Sequence, residues 1–193
     1  MVANVEIEYW KGGTNSDPMK IIANNFRFRT DDNANTIDNS NPLIIPETGS
    51  NFSYWTHIAL ALSGTFTEVS NIRFFSSGNI NWDLGTGGKI VRGNRDTGDN
   101  GCSESDYRVA TGMTSITGNP IDDETDGHEF YKNQVTPITD IENDLANDTA
   151  LIDSSVYTSS GSTKAVVLQA EVTSNANSGT ETPTTLTFLY DEI

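Results

Sequence analysis

Val5, Ile7 and Tyr9 alternate with Glu6, Glu8 and Trp10 near the start of the chain, a period of two that predicts a strand with one face on a core. Ile21 and Ile22, followed by Phe26, Phe28 and Thr30 alternating with Arg27 and Arg29, predict a second strand whose outward face is basic. The stretch Gly12-Gly13-Thr14-Asn15-Ser16-Asp17-Pro18 between them reads as a turn. Antiparallel pairing of the two strands would set Glu6 and Glu8 against Arg27 and Arg29, roughly a few tenths of a kcal/mol per pair.

The clearest pattern runs from Ser53 to Ser63. Tyr54, Thr56, Ile58, Leu60 and Leu62 share a core face, and Trp55, His57, Ala59, Ala61 and Ser63 share the other. Gly64-Thr65-Phe66-Thr67 leads into Val69–Ser76, with Ile72 and Phe74 on one face, so the pair reads as a central hairpin. Lys89–Arg92 and Tyr107–Ala110 are shorter strand candidates, separated by a polar loop over residues 93–101. Residues 164–173 and 184–190 are two more strands, and Gly85-Thr86-Gly87-Gly88-Lys89 is a hairpin turn without phosphate-loop spacing. Thr139 and Glu142 have capping-box spacing ahead of Leu145, which predicts a short helix around 139–148.

Short strands, long polar loops and at most one short helix predict an all-β fold, an antiparallel β-sandwich of jelly-roll type. At 193 residues and 21.0 kDa the chain fits one domain, residues 1–193, with an acidic loop-rich insertion around 94–153.

Charge sharpens this picture. The formal net charge is -16, and it is uneven: residues 1–96 carry 8 basic and 10 acidic side chains, residues 97–193 carry 3 and 17. A phosphate backbone or an anionic lipid surface would be repelled, which argues against nucleic acid and membrane partners and for a cation or a basic surface. The bland reading of the acidic half is a set of solvated loops. Nothing near Met1 has the form of a signal peptide, the longest purely apolar run is Ile58–Leu62, and Cys102 is the single cysteine, so no intrachain disulfide can form. A soluble protein that stays in the cytoplasm where it is made is the expectation.

Candidate chemistry is sparse. Only His57 and His128 are available as general bases, and neither sits in a recognisable nucleophile motif. Two histidines and one cysteine lack the usual spacing of a zinc site. Asp122, Glu124 and Asp126 stand at alternate positions before Gly127, like the first half of a calcium loop, although Asn133 takes the place of its closing glutamate. Trp10, Trp55, His57 and Trp82 are the candidates for an interface or for stacking on a sugar ring. The face carrying Trp55, His57, Ala59 and Ala61 is flat enough to be covered by another layer or subunit.

Two stretches carry a resemblance. Trp55-Thr56-His57-Ile58-Ala59-Leu60 with Ser70-Asn71-Ile72-Arg73-Phe74-Phe75 is one. The other is Val166-Val167-Leu168-Gln169-Ala170-Glu171-Val172 with the terminal Thr184–Ile193. Together they resemble tailed-bacteriophage virion structural proteins over about a third of the chain. The resemblance implies a non-enzymatic capsid decoration or tail component of the virion, made in the host cytoplasm. It would be assembled in many copies, as a homo-oligomer or against a major capsid or tail protein. A calcium-assisted carbohydrate-binding module or adhesin, with a glycan as partner, is the alternative. A polysaccharide hydrolase or lyase would need two carboxylates facing across a cleft.

Overall fold

The computed structural model describes residues 2–33, 39–78, 82–179 and 183–193. Thirteen strands follow one another among these residues: β1 (Asn4–Thr14), β2 (Asp17–Ile22), β3 (Ser50–Phe52), β4 (Thr56–Ser63), β5 (Val69–Ser76), β6 (Lys89–Gly93), β7 (Gly112–Met113), β8 (Thr117–Gly118), β9 (Ile138–Asp140), β10 (Ala150–Asp153), β11 (Gly161–Ser162), β12 (Val166–Thr173) and β13 (Leu186–Glu192). The large sheet runs β2-β1-β4-β12-β6-β9, with β11 beside β4 and β3 beside β12. A small sheet runs β10-β5-β13, and β7 and β8 form a separate hairpin. Every strand pairing is antiparallel.

Alternation decides which face each side chain takes. In the β1–β4 ladder Val5 pairs with Leu62, Ile7 with Leu60 and Tyr9 with Ile58, and in the next ladder Val166 of β12 pairs with Ile58. These residues form one apolar face, which packs on Phe74, Ala150 and Ile152 at one end and on Val69 and Ile72 at the other. The small sheet is therefore the second layer of a β-sandwich. Burying aliphatic and aromatic side chains from both layers, at about 1.5–3 kcal/mol each, is the main term holding the layers together.

The opposite face of the large sheet carries Trp10, His57, Ala59, Val91, Val167 and Gln169. It is covered by residues 97–135, largely loops, through Cys102, Tyr107, Ala110, Ile121 and Tyr131. The face expected to meet another layer is thus covered by the chain itself. The acidic insertion divides accordingly: its first part is this loop layer, and its last part supplies β9 and β10.

Several expectations are corrected. β4 and β5 do not form a hairpin; residues 64–68 carry the chain from one sheet to the other. Both strands have one apolar face, and setting those faces against each other buries both. β2 begins at Asp17, so the turn is shorter than the polar stretch, and β2 pairs Ile21 with Tyr9 and Ile22 with Glu8. Residues 26–30 form no strand beyond a single bridge from Arg29 to Pro42, and Arg29 is paired with Asp31 rather than with a glutamate of β1. Tyr107–Ala110 is not a strand. The expected helix is one 3-10 turn, Ile141–Asn143, capped by Asp140 accepting from the Glu142 N–H. Asp and Asn stabilise such turns by local hydrogen bonds at the expense of helix continuation. The unequal sheets also depart from the paired four-stranded sheets of a jelly roll.

Two breaks in the central strands are sealed by hydroxyl groups. Between β3 and β4, Ser53 Oγ accepts from the Ala170 N–H at 3.0 Å. Between β11 and β12, Thr163 Oγ1 accepts from the Leu60 N–H at 3.0 Å. Each hydroxyl takes the place of a ladder carbonyl and keeps a buried N–H paired. The first break also turns Tyr54 away from the core face expected of it and into the cluster around Trp55.

Thr163→Val removes the acceptor while preserving shape. We expect a loss of about 1–3 kcal/mol from the stranded Leu60 N–H, whereas Thr163→Ser retains most of the stability. Urea denaturation of the three proteins measures the difference.

Candidate functional site

His57 lies on β4 on the face opposite Ile58, in register with Trp10 of β1 and Val167 of β12. Alternation alone sends it into the layer under residues 97–135. His128 reaches it from a tight turn. Asp123 Oδ1 accepts from the N–H groups of Thr125 and Asp126, its carbonyl accepts from Gly127, and the His128 N–H bonds back to Ile121. A Cβ on Gly127 would stand 2.4 Å from the Asp123 carbonyl oxygen, so the turn needs glycine there. Gln169 anchors the start of the turn. Its Oε1 accepts from Ile121, and its Nε2 donates to the carbonyls of Ser53 and Asn119. Cys102 is fixed by a two-way bridge with Ala165, at the start of β12.

The two imidazoles meet with Nε2 to Nε2 at 3.0 Å. One ring nitrogen of each histidine and Cys102 Sγ all lie within 4.8 Å of one another. The exposures of His57, His128 and Cys102 are 1%, 0% and 0%, so the cluster is sealed from solvent. Tyr107 packs on the His57 ring at 4.6 Å, Trp10 stacks on it at 6.4 Å, and Trp55 and Tyr131 flank His128 at 5.4 and 5.0 Å.

The hydrogen bonds assign the tautomers. Phe130 N–H donates to His128 Nδ1 at 3.3 Å, which places the His128 proton on Nε2, from where it is donated to His57 Nε2. His57 then carries its own proton on Nδ1. Burial is the main reason that both rings stay neutral. It pushes His128 down to about 3, with help from the Arg108 charge, and holds His57 well below its ordinary value, with His128 and Lys11 acting in the same direction. Burial also raises the Cys102 thiol well above its usual range, and Asp106 adds to this. A protonated, enclosed thiol is a poor nucleophile. An open groove of about 480 Å³, lined by Arg108, Lys132, Asp126 and Glu129, lies outside this cluster.

The residues singled out from sequence fall in different places. Trp10 and Trp55 are 1% and 2% exposed. Their indole N–H groups are spent on Glu8 and on the Arg108 carbonyl, so with His57 they belong to an internal contact rather than to a surface. Trp82 lies on the other side of the large sheet, half-buried and edge-on to Phe28, beside a cleft of about 100 Å³. Asp122, Glu124 and Asp126 are not among the ligand groups of three that converge among the described residues, and the residue whose hydrogen bonds organise this loop is Asp123, between them. His128 and Cys102 are the members that sequence reading missed. The only signal for them was their rarity, because nothing in the spacing of positions 57, 102 and 128 connects them.

Comparison with protein-family models, with curated proteins and with solved structures finds no match to this chain.

The buried imidazoles make stability depend on pH. The unfolded chain takes up a proton at each histidine below 6.5, whereas the folded chain holds His128 neutral to about 3, so folding loses stability as pH falls through this window. Asp32 acts in the opposite direction. Burial raises its carboxyl to about 6, so below that pH the folded state gains relative to an unfolded carboxyl near 3.8. Two histidines against one aspartate leave a net loss of about 1.4 kcal/mol per pH unit below about pH 6. Urea denaturation from pH 8 to 4.5 in the presence of a chelator checks this, and Asp32→Asn steepens the slope.

Proposed function

We propose that this chain is a non-enzymatic structural subunit of a virion, a capsid decoration or tail-associated protein that works through contacts between subunits. The observation that carries the reading is where the fold spends its side chains. Both histidines and the cysteine are enclosed, while large apolar side chains stand out at strand edges and at a loop tip. Met19 and Ile22 are exposed on β2, which ends the large sheet, and Leu189 is exposed on β13, which ends the small one. Met113 and Ile116 project from the β7–β8 hairpin.

A strand at a sheet edge offers unpaired backbone groups to a neighbouring chain, and exposed apolar anchors add contact energy at such a junction. The net charge of -16 favours a partner with a basic surface, such as a major capsid or tail protein, and keeps the free subunit soluble before assembly. A homo-oligomer would have to bring this charge together with itself, so its contacts belong at the edges and tips rather than across the acidic loops. The virion resemblance of the β4–β5 and β12–β13 segments agrees with this reading. The glycan-binding alternative needs exposed tryptophans near clustered carboxylates, and the fold buries Trp10 and Trp55.

Density-gradient fractionation of native source material, with mass spectrometry of this chain in every fraction, tests the proposal. Co-sedimentation at fixed high copy number with a particle and its major capsid protein is the expected result, and recovery only as a small soluble species overturns it. The double substitution Met113→Lys, Ile116→Lys changes only exposed positions. It should leave the thermal midpoint nearly unchanged and lower incorporation into particles at least about tenfold, equivalent to about 1.4 kcal/mol of contact energy.

A further inference from the structure

The chain holds only two histidines and one cysteine in 193 residues. They come from β4, from the bridge beside β12 and from the turn after Ile121, and all three donor atoms meet within 4.8 Å. No other group of three such ligands occurs among the described residues. We propose that His57, His128 and Cys102 form a binding site for a monovalent copper ion. This goes beyond the virion reading and does not depend on it.

The donor set and the geometry point to that ion. Two imidazoles and a thiolate in a trigonal arrangement suit copper, whereas hard cations take oxygen ligands. With metal–nitrogen bonds of about 2.0 Å, a trigonal site needs the two Nε2 atoms about 3.5 Å apart. They stand at 3.0 Å, so the rings need to open by about half an ångström while the cysteine closes in. The cluster is closed to bulk solvent, and no carboxylate belongs to the group.

Charge separates copper from zinc. A thiolate, two neutral imidazoles and Cu⁺ sum to zero, whereas Zn²⁺ leaves one positive charge in the enclosed core, where Lys11 and Arg108 act on the imidazoles and Asp106 on the thiol. An uncompensated buried charge carries a large penalty, so the neutral complex is the one that this enclosure accepts. The binding step is balanced without any redox change. The Cys102 thiol gives up its proton to solvent as the sulfur–copper bond forms. The His128 proton moves from Nε2 to Nδ1, releasing the Nε2 lone pair to the metal, and the Phe130 N–H contact to Nδ1 is lost. The ion then replaces the shared proton of the imidazole pair. It ties the loop layer to the large sheet in a chain that has no disulfide.

The test is a competition titration of the full-length chain under anaerobic conditions. Cu⁺ is supplied as its complex with bathocuproine disulfonate, whose colour reports withdrawal of the ion. Because the site is enclosed, the titration is run on native protein and on protein refolded from urea with one equivalent of the ion. The expected result is one copper per chain in at least the refolded sample, with X-ray absorption showing two nitrogens and one sulfur. Cys102→Ser and His57→Gln, each first shown to be folded by circular dichroism, should weaken binding at least about 100-fold, the scale expected when a ligand bond is lost. A parallel titration with Zn²⁺ against a chromogenic chelator should show weaker binding. Three results overturn the proposal: no withdrawal of copper by either wild-type sample, unchanged affinity in folded Cys102→Ser, or zinc bound more tightly than copper.

Discussion

The carboxamide of Gln169 joins the regular and irregular halves of this molecule. From β12 it accepts from Ile121 and donates to Ser53 and Asn119, and at 2% exposure none of these bonds has water as a substitute. A loop layer laid over a sheet brings many backbone N–H and C=O groups out of water, and each must find a partner or cost a few kcal/mol. Gln169 meets that requirement where β3 breaks from β4 and where the turn carrying His128 begins.

The same constraint explains much of the acidity. Carboxylates of residues 96–153 accept from loop backbone in place of strand partners: Asp96 from Val135 and Thr136, Asp99 from Ser154, Asp123 from Thr125 and Asp126, Asp153 from Ser155 and Lys164. Arg92 and Asp144 form a buried two-pronged pair at 2.5 and 3.0 Å that fastens the segment before β10 to β6. Lys164 sits between Asp99 and Asp153. An acidic half read as a solvated coat is therefore partly a framework, in which side chains provide the acceptors that a sheet would take from its own backbone. The remaining carboxylates stay at the surface and set the long-range field that a partner meets.

Strand content was legible because alternation is local. The faces of β1, most of β4, β12 and β13 follow from positions two apart, and burial of Tyr9, Ile58, Leu60, Val166 and Leu168 agrees with them. Pairing was not legible to the same degree. A strand pattern says that one face needs cover and does not say whether a neighbour in the same sheet or a second sheet provides it, and the β4–β5 hairpin failed on that point. Residues 26–30 show the related limit, since their alternation names no partner strand and the segment pairs only through the Arg29–Pro42 bridge.

By itself the sequence determined that this protein is built of strands, with one apolar face on each long one, no disulfide and a strongly negative field. Those properties depend on residue type and on spacings of a few positions. The tertiary structure alone decided what covers the second face of the large sheet, that Trp10 and Trp55 lie inside, and that the soft donors of positions 57, 102 and 128 meet. Such convergence depends on which ladders form and on how far each loop reaches. These are relations between segments tens of residues apart, on which local periodicity places no constraint.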